Sequence, residues 1–395
     1  MNLTSVQVGL PLISEDAYYV IIKVLHFPMM VFSLSGLVTN SLNMLVFVRQ
    51  GVTSDSVTVS LFVMSLSDFA ASLLMFPQVI CFYLDSLNVP SVKSCYIITS
   101  MATTYPHIVF GKVTCLIQTY ISVERAYCVV FPLKVKRVIK TRNTVIINII
   151  LCIVTIIIFT PYPANLQLVW VRDNLNSTRA TFVFNSVGLT MAKVNYINGS
   201  FIIPNTAIVV NSVATVVIVA RLHVTRKWRE TLSSAGAAPK SQKMSSKSLE
   251  TSKTVIVITS VYLVSLICGQ LPAMTAFALP DVTQEGLNKY LYDIIFSIRF
   301  DIEAMHSTVN LFFYLKMSSK YRQVFETIFL NCTRTTGNKQ DDKEQAGRQG
   351  TSRTKENLQD DGELQEEDRE VENDLNRKTR NLILTIVDLC MTKGE

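Results

Sequence analysis

The sequence predicts an all-α fold: a seven-transmembrane helix bundle, then a short amphipathic helix on the inner membrane surface, then a disordered C-terminal tail. Three observations carry this. Of the 395 residues, 49% are hydrophobic and only 17% are charged, against about 25% charged in soluble domains. The apolar residues stand in long runs, and Val145–Ile158 is interrupted only by Asn148, Cys152 and Thr155. Seven stretches (20–48, 57–83, 96–124, 144–168, 194–220, 254–279 and 290–315) reach the ~20 mostly apolar residues that a bilayer-crossing helix needs. Such composition excludes a disordered chain, a coiled coil and a small disulfide scaffold, and it argues against an ordinary soluble enzyme.

Hydrocarbon offers no partner to backbone N–H and C=O groups, so apolar runs of this length read as helices. The alternating ~10-residue segments of a membrane β-barrel are missing. Residues 1–330 hold 26 Lys and Arg. Eighteen of them fall in one set of loops: Arg49, the 125–142 segment, the 221–253 segment and 316–322. By the positive-inside rule that set faces the cytosol. The chain is then a multi-pass plasma-membrane protein with residues 1–19 outside and the C-terminus inside. The net charge of +7 is a topology signal and not a nucleic-acid footprint. Glu15 and Asp16, with no basic n-region, argue against a cleavable leader.

Between the fifth and sixth spans, about 221–253, the chain is Ser/Lys-rich and reads as a basic, flexible linker. After the 20–315 domain, 316–330 places Tyr321, Val324, Phe325, Ile328 and Phe329 on one helical face, away from Lys320, Arg322 and Glu326. That pattern suits a helix lying on the membrane surface. Cys332 beyond it is a palmitoylation candidate. Residues 331–395 are acidic and nearly free of aromatics, a disordered tail by composition. Asn2, Asn176 and Asn198 head Asn-x-Ser/Thr sequons on the predicted outside. Of eight cysteines, Cys81 and Cys95 alone sit near the outer face, flanking a short loop, and are the disulfide candidate. The four histidines are too scattered for a metal site, and no cofactor is expected.

Charged groups at bilayer depth cost several kcal/mol unless paired or watered, so each is a functional candidate. Asp68, Lys112, Arg299, Asp301 and Glu303 stand out. On the seventh span Arg299, Glu303, His306, Ser307 and Asn310 share one helical face, which must look into the bundle, with Asp301 well off it. On the third, His107, Gly111, Thr114, Cys115 and Gln118 share a face, with Lys112 off it. Lys112 is expected to pair with Asp301 or Glu303. Asn40, Asp68 and Asn310 suit structural or switching roles.

The order of motifs carries a resemblance. Gly36-x-x-x-Asn40 stands in span 1, and Ser65-Leu-Ser-Asp68 with Pro77 in span 2. Glu124-Arg125-Ala126 closes span 3, with Pro132-Leu133 beyond it. Phe201-x-x-Pro204 lies in span 5, Pro272 in span 6, and Asn310-Leu-Phe-Phe-Tyr314 ends span 7. Over about 20–330 this resembles the rhodopsin-like G-protein-coupled receptors. The resemblance implies a receptor without catalysis of its own, which couples an extracellular small-molecule or peptide ligand to a heterotrimeric G protein, with arrestin and a receptor kinase as further partners. It implies that Arg125 is the switch arginine, restrained by Glu124, and that Pro132 and Leu133 belong to the loop that meets the G protein. Asn40, Asp68, Thr114, Ser307 and Asn310 resemble the polar network that in relatives holds sodium near the residue matching Asp68. Tyr314 resembles the tyrosine that swings inward, and Pro204 and Pro272 resemble kink points. The ligand-pocket candidates are His107, Lys112, Gln270, Arg299 and Glu303.

Departures mark a divergent branch. Gly269-Gln270-Leu271-Pro272 lacks the aromatic switch, Leu311 follows Asn310 where Pro is usual, Ala126 replaces Tyr, and span 4 lacks its Trp. Residues 153–267 contain no Cys, so the usual disulfide from span 3 to the second outer loop cannot form. These changes count against sodium binding. His107 stands where amine receptors hold Asp, and Ala304 where opsins hold the retinal lysine. Asp55-Ser-Val-Thr-Val-Ser-Leu-Phe62, Phe131-Pro-Leu-Lys-Val-Lys136 and Lys316-Met-Ser-Ser-Lys-Tyr-Arg322 are similar to the candidate chemosensory receptors of gastropod molluscs. The alternatives are a neuropeptide receptor for an internal ligand and, in another class, a multi-pass transporter or channel, although no inverted repeat is visible.

Overall fold

Each of the seven apolar runs becomes a long helix in the computed structural model, which describes residues 11–87, 94–131, 134–172, 178–234, 242–279, 281–282 and 286–329. In chain order the elements are α1 (Glu15–Gln50), α2 (Ser56–Ser86), α3 (Cys95–Val130), the single turn α4 (Val135–Val138), α5 (Thr141–Phe159), β1 (Leu166–Arg172), β2 (Thr178–Phe184), α6 (Ser186–Tyr196), α7 (Ile203–Ser234), α8 (Gln242–Ala278), α9 (Lys289–Met317) and α10 (Ser319–Phe329). A π turn at Ile197–Ile202 joins α6 to α7, and together they make the fifth span. The candidate tail at 331–395, Cys332, Asn2, Asn176, Pro132 and Leu133 lie outside the described residues.

Helix starts follow the sequence signals. Ser14 caps α1 by accepting the Ala17 N–H, and Asp55 caps α2 by accepting the Thr58 N–H at 2.9 Å. Each satisfies a backbone donor that the helix itself leaves open. α3 is the central helix, packed against α2, α5, α7 and α8, while α1 lies between α2 and α9. Five spans are long and apolar enough by composition alone to cross a membrane: α1, α2, α5, α6–α7 and α8. α3 and α9 are not among them, because they carry Lys112, Glu124, Arg299, Asp301 and Glu303.

The bundle is turned inside out relative to a soluble one. On α5 the buried residues are Thr144, Asn148, Thr155 and Phe159, while Ile149, Ile153 and Ile157 are half or more exposed. The amide of Asn148 donates to the Ser60 hydroxyl at 3.0 Å, and Thr144 meets the Tyr120 hydroxyl at 3.0 Å. Hydrocarbon rewards an aliphatic outer face, so polar side chains turn inward and join helices.

Four boundaries differ clearly from the expected spans, and two of them fall in the segment read as a linker, where α7 runs on to Ser234 and α8 starts at Gln242. The fourth was read to 168, but its helix ends at Phe159, since Pro161 and Pro163 have no N–H to continue the ladder. Apolar residues beyond that point, Leu166 to Val171, belong to β1 instead. β1 pairs antiparallel with β2, from Leu166 opposite Phe184 to Arg172 opposite Thr178. This hairpin in the second outer loop adds a small sheet to an otherwise helical fold. The fifth span begins eight residues early, at Ser186, capped by the Asn185 carboxamide on the Gly188 N–H.

The two ends of the bundle are tied differently. On the outer side Cys81 and Cys95 form the disulfide, joining the ends of α2 and α3. The adjacent Ser94, at φ 77°, accepts the Ala180 N–H at 3.3 Å. A hydrogen bond therefore secures β2 to the start of α3. On the inner side the chain breaks at Ser318 and α10 turns back on the bundle. Tyr321 is buried and donates to the Asn43 carboxamide at 2.7 Å, and Val324, Phe325 and Ile328 pack on a core of Val46, Phe47, Met64, Ile117, Ile121 and Tyr314. Lys320, Arg322 and Glu326 are exposed, as the amphipathic pattern requires.

Candidate ligand and signalling sites

The fifth span is deformed at its outer half, and the deformation starts from one residue. Pro204 has no N–H, so the Ser200 carbonyl loses the donor that a regular helix would supply. The π turn just before it widens the helix at Gly199 and Ser200. Both carbonyls are used by neighbouring helices. The Gln270 amide on α8 donates to the Ser200 carbonyl. Arg299 on α9 donates through one Nη to the Ser200 hydroxyl at 3.2 Å and through the other to the Gly199 carbonyl at 3.5 Å. Position 199 must be glycine, because a Cβ there would lie 2.9 Å from the Phe159 ring.

Arg299 also donates through Nε to Glu303 at 3.2 Å, one turn along α9. Lys112 Nζ lies 3.8 Å from the same Glu303 oxygen. Of the two partners expected for Lys112, Glu303 is therefore the one it meets, while Asp301 keeps a buried oxygen without a hydrogen bond. Lys112, off the face that His107, Thr114, Cys115 and Gln118 share, is buried as they are. A helix at the centre of a bundle has inward positions nearly all round, so no single stripe describes it. The expected face of α9 holds, with Arg299, His306, Ser307 and Asn310 all buried.

These groups line a cavity of about 60 Å³. The Glu303 side chain is 30% exposed, and what it faces is that cavity. His107 donates through Nδ1 to the Ala71 carbonyl at 3.1 Å, and its Nε2 has no partner. His306 lies 4.9 Å from the Tyr262 ring, with neither nitrogen hydrogen-bonded. All five pocket candidates, His107, Lys112, Gln270, Arg299 and Glu303, meet here, and the cavity continues inward to Asp68 and Ser307.

At that inner end the expected polar network is assembled. Asp68 accepts from the Thr114 hydroxyl at 2.7 Å and from the Asn310 amide at 3.3 Å. The Asn40 amide donates to the Ser307 hydroxyl at 3.0 Å. A sodium ion here would need open oxygen ligands. Asp68 accepts one donor on each oxygen, and the Asn310 carbonyl oxygen beside it is buried without a partner.

Further in, Arg125 pairs with Glu124 at 2.9 Å, and Glu124 also accepts from the Ser56 hydroxyl. Tyr314 is buried between Phe47 and Tyr321, at ring distances of 5.5 and 5.4 Å, and its hydroxyl has no partner. Gln118 and Ser122 on α3 both bond the Thr259 hydroxyl on α8, at 3.2 Å each. Pro272 lies within α8, which continues to Ala278. Asn198 lies in the π turn, half-buried, and the other two residues of its sequon, Gly199 and Ser200, are bonded to Arg299 and Gln270. Sequence reading missed Gly199, Ser200, Ser56 and Thr259. Only Ser200 left a signal, four residues before Pro204.

Known proteins resemble this chain at the level of family and fold. A family model described as serpentine type 7TM GPCR chemoreceptor Srw matches residues 26–332. Squid rhodopsin, a solved structure, superposes with a TM-score of 0.57 at 15% sequence identity, covering 83% of this chain and 89% of that one. At that identity the likeness speaks for the fold alone. No curated protein matches the chain.

Proposed function

The chain belongs to the serpentine 7TM GPCR chemoreceptor family Srw, and from that premise we propose that it is a plasma-membrane chemosensory receptor that converts ligand binding in the α3–α8–α9 cavity into activation of a heterotrimeric G protein. The observation that carries the reading is continuity. One cavity is lined by Lys112, Arg299 and Glu303 at its outer part and by Asp68 and Ser307 at its inner part. A ligand that moves α9 therefore moves a partner of the polar network directly, and a ligand shifts a two-state bundle by its differential affinity for the two states.

The resting state in this reading is held by the Glu124–Arg125 pair and by the α3–α8 bonds at Thr259. Release of Arg125 opens the cytosolic face to the G protein, with Pro132 and Leu133 in the adjoining loop. The N-terminus faces outward and the basic loops face the cytosol. The Asp68 network works through its own hydrogen bonds. Arrestin and a receptor kinase would act on the activated cytosolic face.

Arg125→Ala tests the proposal in cells carrying a G-protein reporter. Expected is loss of ligand-evoked output with surface expression unchanged. Ligand-evoked current or uptake that survives Arg125→Ala would point to a transporter and overturn the receptor reading.

A further inference from the structure

At the outer part of the cavity the cations outnumber the anions. Lys112 and Arg299 are both buried, and both lean on the single carboxylate of Glu303, at 3.8 and 3.2 Å. Asp68 lines the inner end, but its oxygens hold Thr114 and Asn310 and it forms no ion pair among the described residues. Two cations thus share one anion in a place where a lone charge is costly. The 3.8 Å Lys112–Glu303 contact exceeds a direct hydrogen bond, so the lysine is the cation with donors to spare. The unpartnered Nε2 of His107 stands in the same lining, but with the ring proton on Nδ1 it is an acceptor and has no part in holding an anion.

Resting on the receptor reading above, we propose that this cavity recognises a small organic acid, whose carboxylate sits between Lys112 and Arg299. Carboxylates match a guanidinium in two parallel hydrogen bonds and take the ammonium as a point charge. A volume of about 60 Å³ suits a carboxylate and a few attached atoms. An amine placed between Lys112 and Arg299 would meet two cations and a carboxylate that both already share. Binding would also reach the fifth and sixth spans. A carboxylate that draws on Arg299 competes with its bonds to Glu303, Ser200 and Gly199, and Ser200 is also where Gln270 of α8 is tied. The polar clamp at Gln270 then stands in for the aromatic switch that the sequence lacks.

The test is a melting-temperature assay on the purified full-length receptor, so that binding is read without any G protein. The probes are a panel of short-chain carboxylic acids at millimolar concentration, each beside its own primary amide and the matching amine. Expected are stabilisation by acids alone and an affinity loss of about tenfold or more in Lys112→Gln. Because that variant alters the pocket's charge, Glu303→Gln is the second probe, its affinity read against its own lower ligand-free melting temperature: removing the competing anion should tighten acid binding about tenfold. Tripeptides with a free but not an amidated C-terminus would, if active, mark the carboxylate as a peptide's end. Equal stabilisation by acid and amide, preference for the amine, no acid-specific shift at all, or weaker acid binding in Glu303→Gln overturns the proposal. The two readings fail separately. Acid binding with no nucleotide exchange on an added G protein sinks the coupling and leaves the acid site, whereas exchange driven only by uncharged or cationic compounds sinks the acid site and leaves the receptor.

Discussion

At its outer half α9 carries Arg299 and Glu303, charges that share partners on α3 and on the π turn of the fifth span. Two turns further in it carries Ser307 and Asn310, neutral groups each with a near neighbour on α1 or α2. The outer cluster has one anion for two cations and a histidine nitrogen without a partner. The inner network is built from hydrogen bonds, with a donor on each Asp68 oxygen and the Asn310 carbonyl oxygen left over. The difference teaches where binding and where transmission belong. An unbalanced, cavity-lining cluster has something left to offer a ligand. A network of neutral hydrogen bonds has less to offer, but it can exist in two arrangements of similar energy.

Glu303→Ala should break this contrast hardest. It leaves Lys112 and Arg299 buried without a counter-charge, and removing one partner of a buried pair costs about 3–5 kcal/mol. The melting temperature of the purified receptor should fall steeply, and Lys112→Met on that background should recover part of the loss. A single variant as stable as the parent would show that the outer charges are watered and not mutually dependent. Asn310→Ala comes next. Asp68 loses one donor but keeps Thr114, so a loss of about 1 kcal/mol is expected. The reporter should move more than the melting temperature does, as a shifted basal output. An unchanged basal output with an equal loss of stability would make Asn310 a packing residue only.

Asn148→Leu asks whether polar contacts outside this axis behave as plain helix glue. It removes the bond to Ser60 on α2, a type worth ~0.6 kcal/mol in a bilayer. Reporter output should be unaltered. A response as large as that of Asn310→Ala would mean that the network extends to α5.

Which parts were legible from the chain follows from the range of the forces. The seven spans were, because hydrocarbon allows few ways to satisfy a backbone and each run announces itself. The inward face of α9 was, because 3.6-residue periodicity fixes which residues share a side. The Cys81–Cys95 bond was, by elimination on the outer face. The partner of Lys112 was not, since a choice between Glu303 and Asp301 depends on how α3 and α9 are rotated against each other. The π turn was not readable beyond the presence of Pro204, and its use of Ser200 and Gly199 required α8 and α9 in place. The β-hairpin was hidden because Leu166–Val171 has the hydropathy of a span and reads as its continuation.

The smallest effect is expected at the α10 end of the bundle, where Lys320 on α10 meets Asp55 before α2 at 3.7 Å, both side chains about half exposed. An exposed pair of this kind contributes about 0–1 kcal/mol, so Lys320→Ala should barely move the melting temperature, and added salt should erase what it moves. Asp55 does more than pair. Burial pushes its carboxyl upward, but the Thr58 N–H and hydroxyl, then Lys320 and Arg125, outweigh that and hold it below the ordinary carboxylate value. Its charged form therefore favours the folded state. That contribution is fully present above the unfolded value of about 3.9 and is lost as pH falls through the lower folded value. Asp55→Ala should cost about 1 kcal/mol near neutral pH, the usual worth of an N-cap. The gap to the parent should narrow below about pH 4. A gap that stays constant to lower pH would mean that the cap acts without its charge, and the α2–α10 contact would then owe nothing to electrostatics.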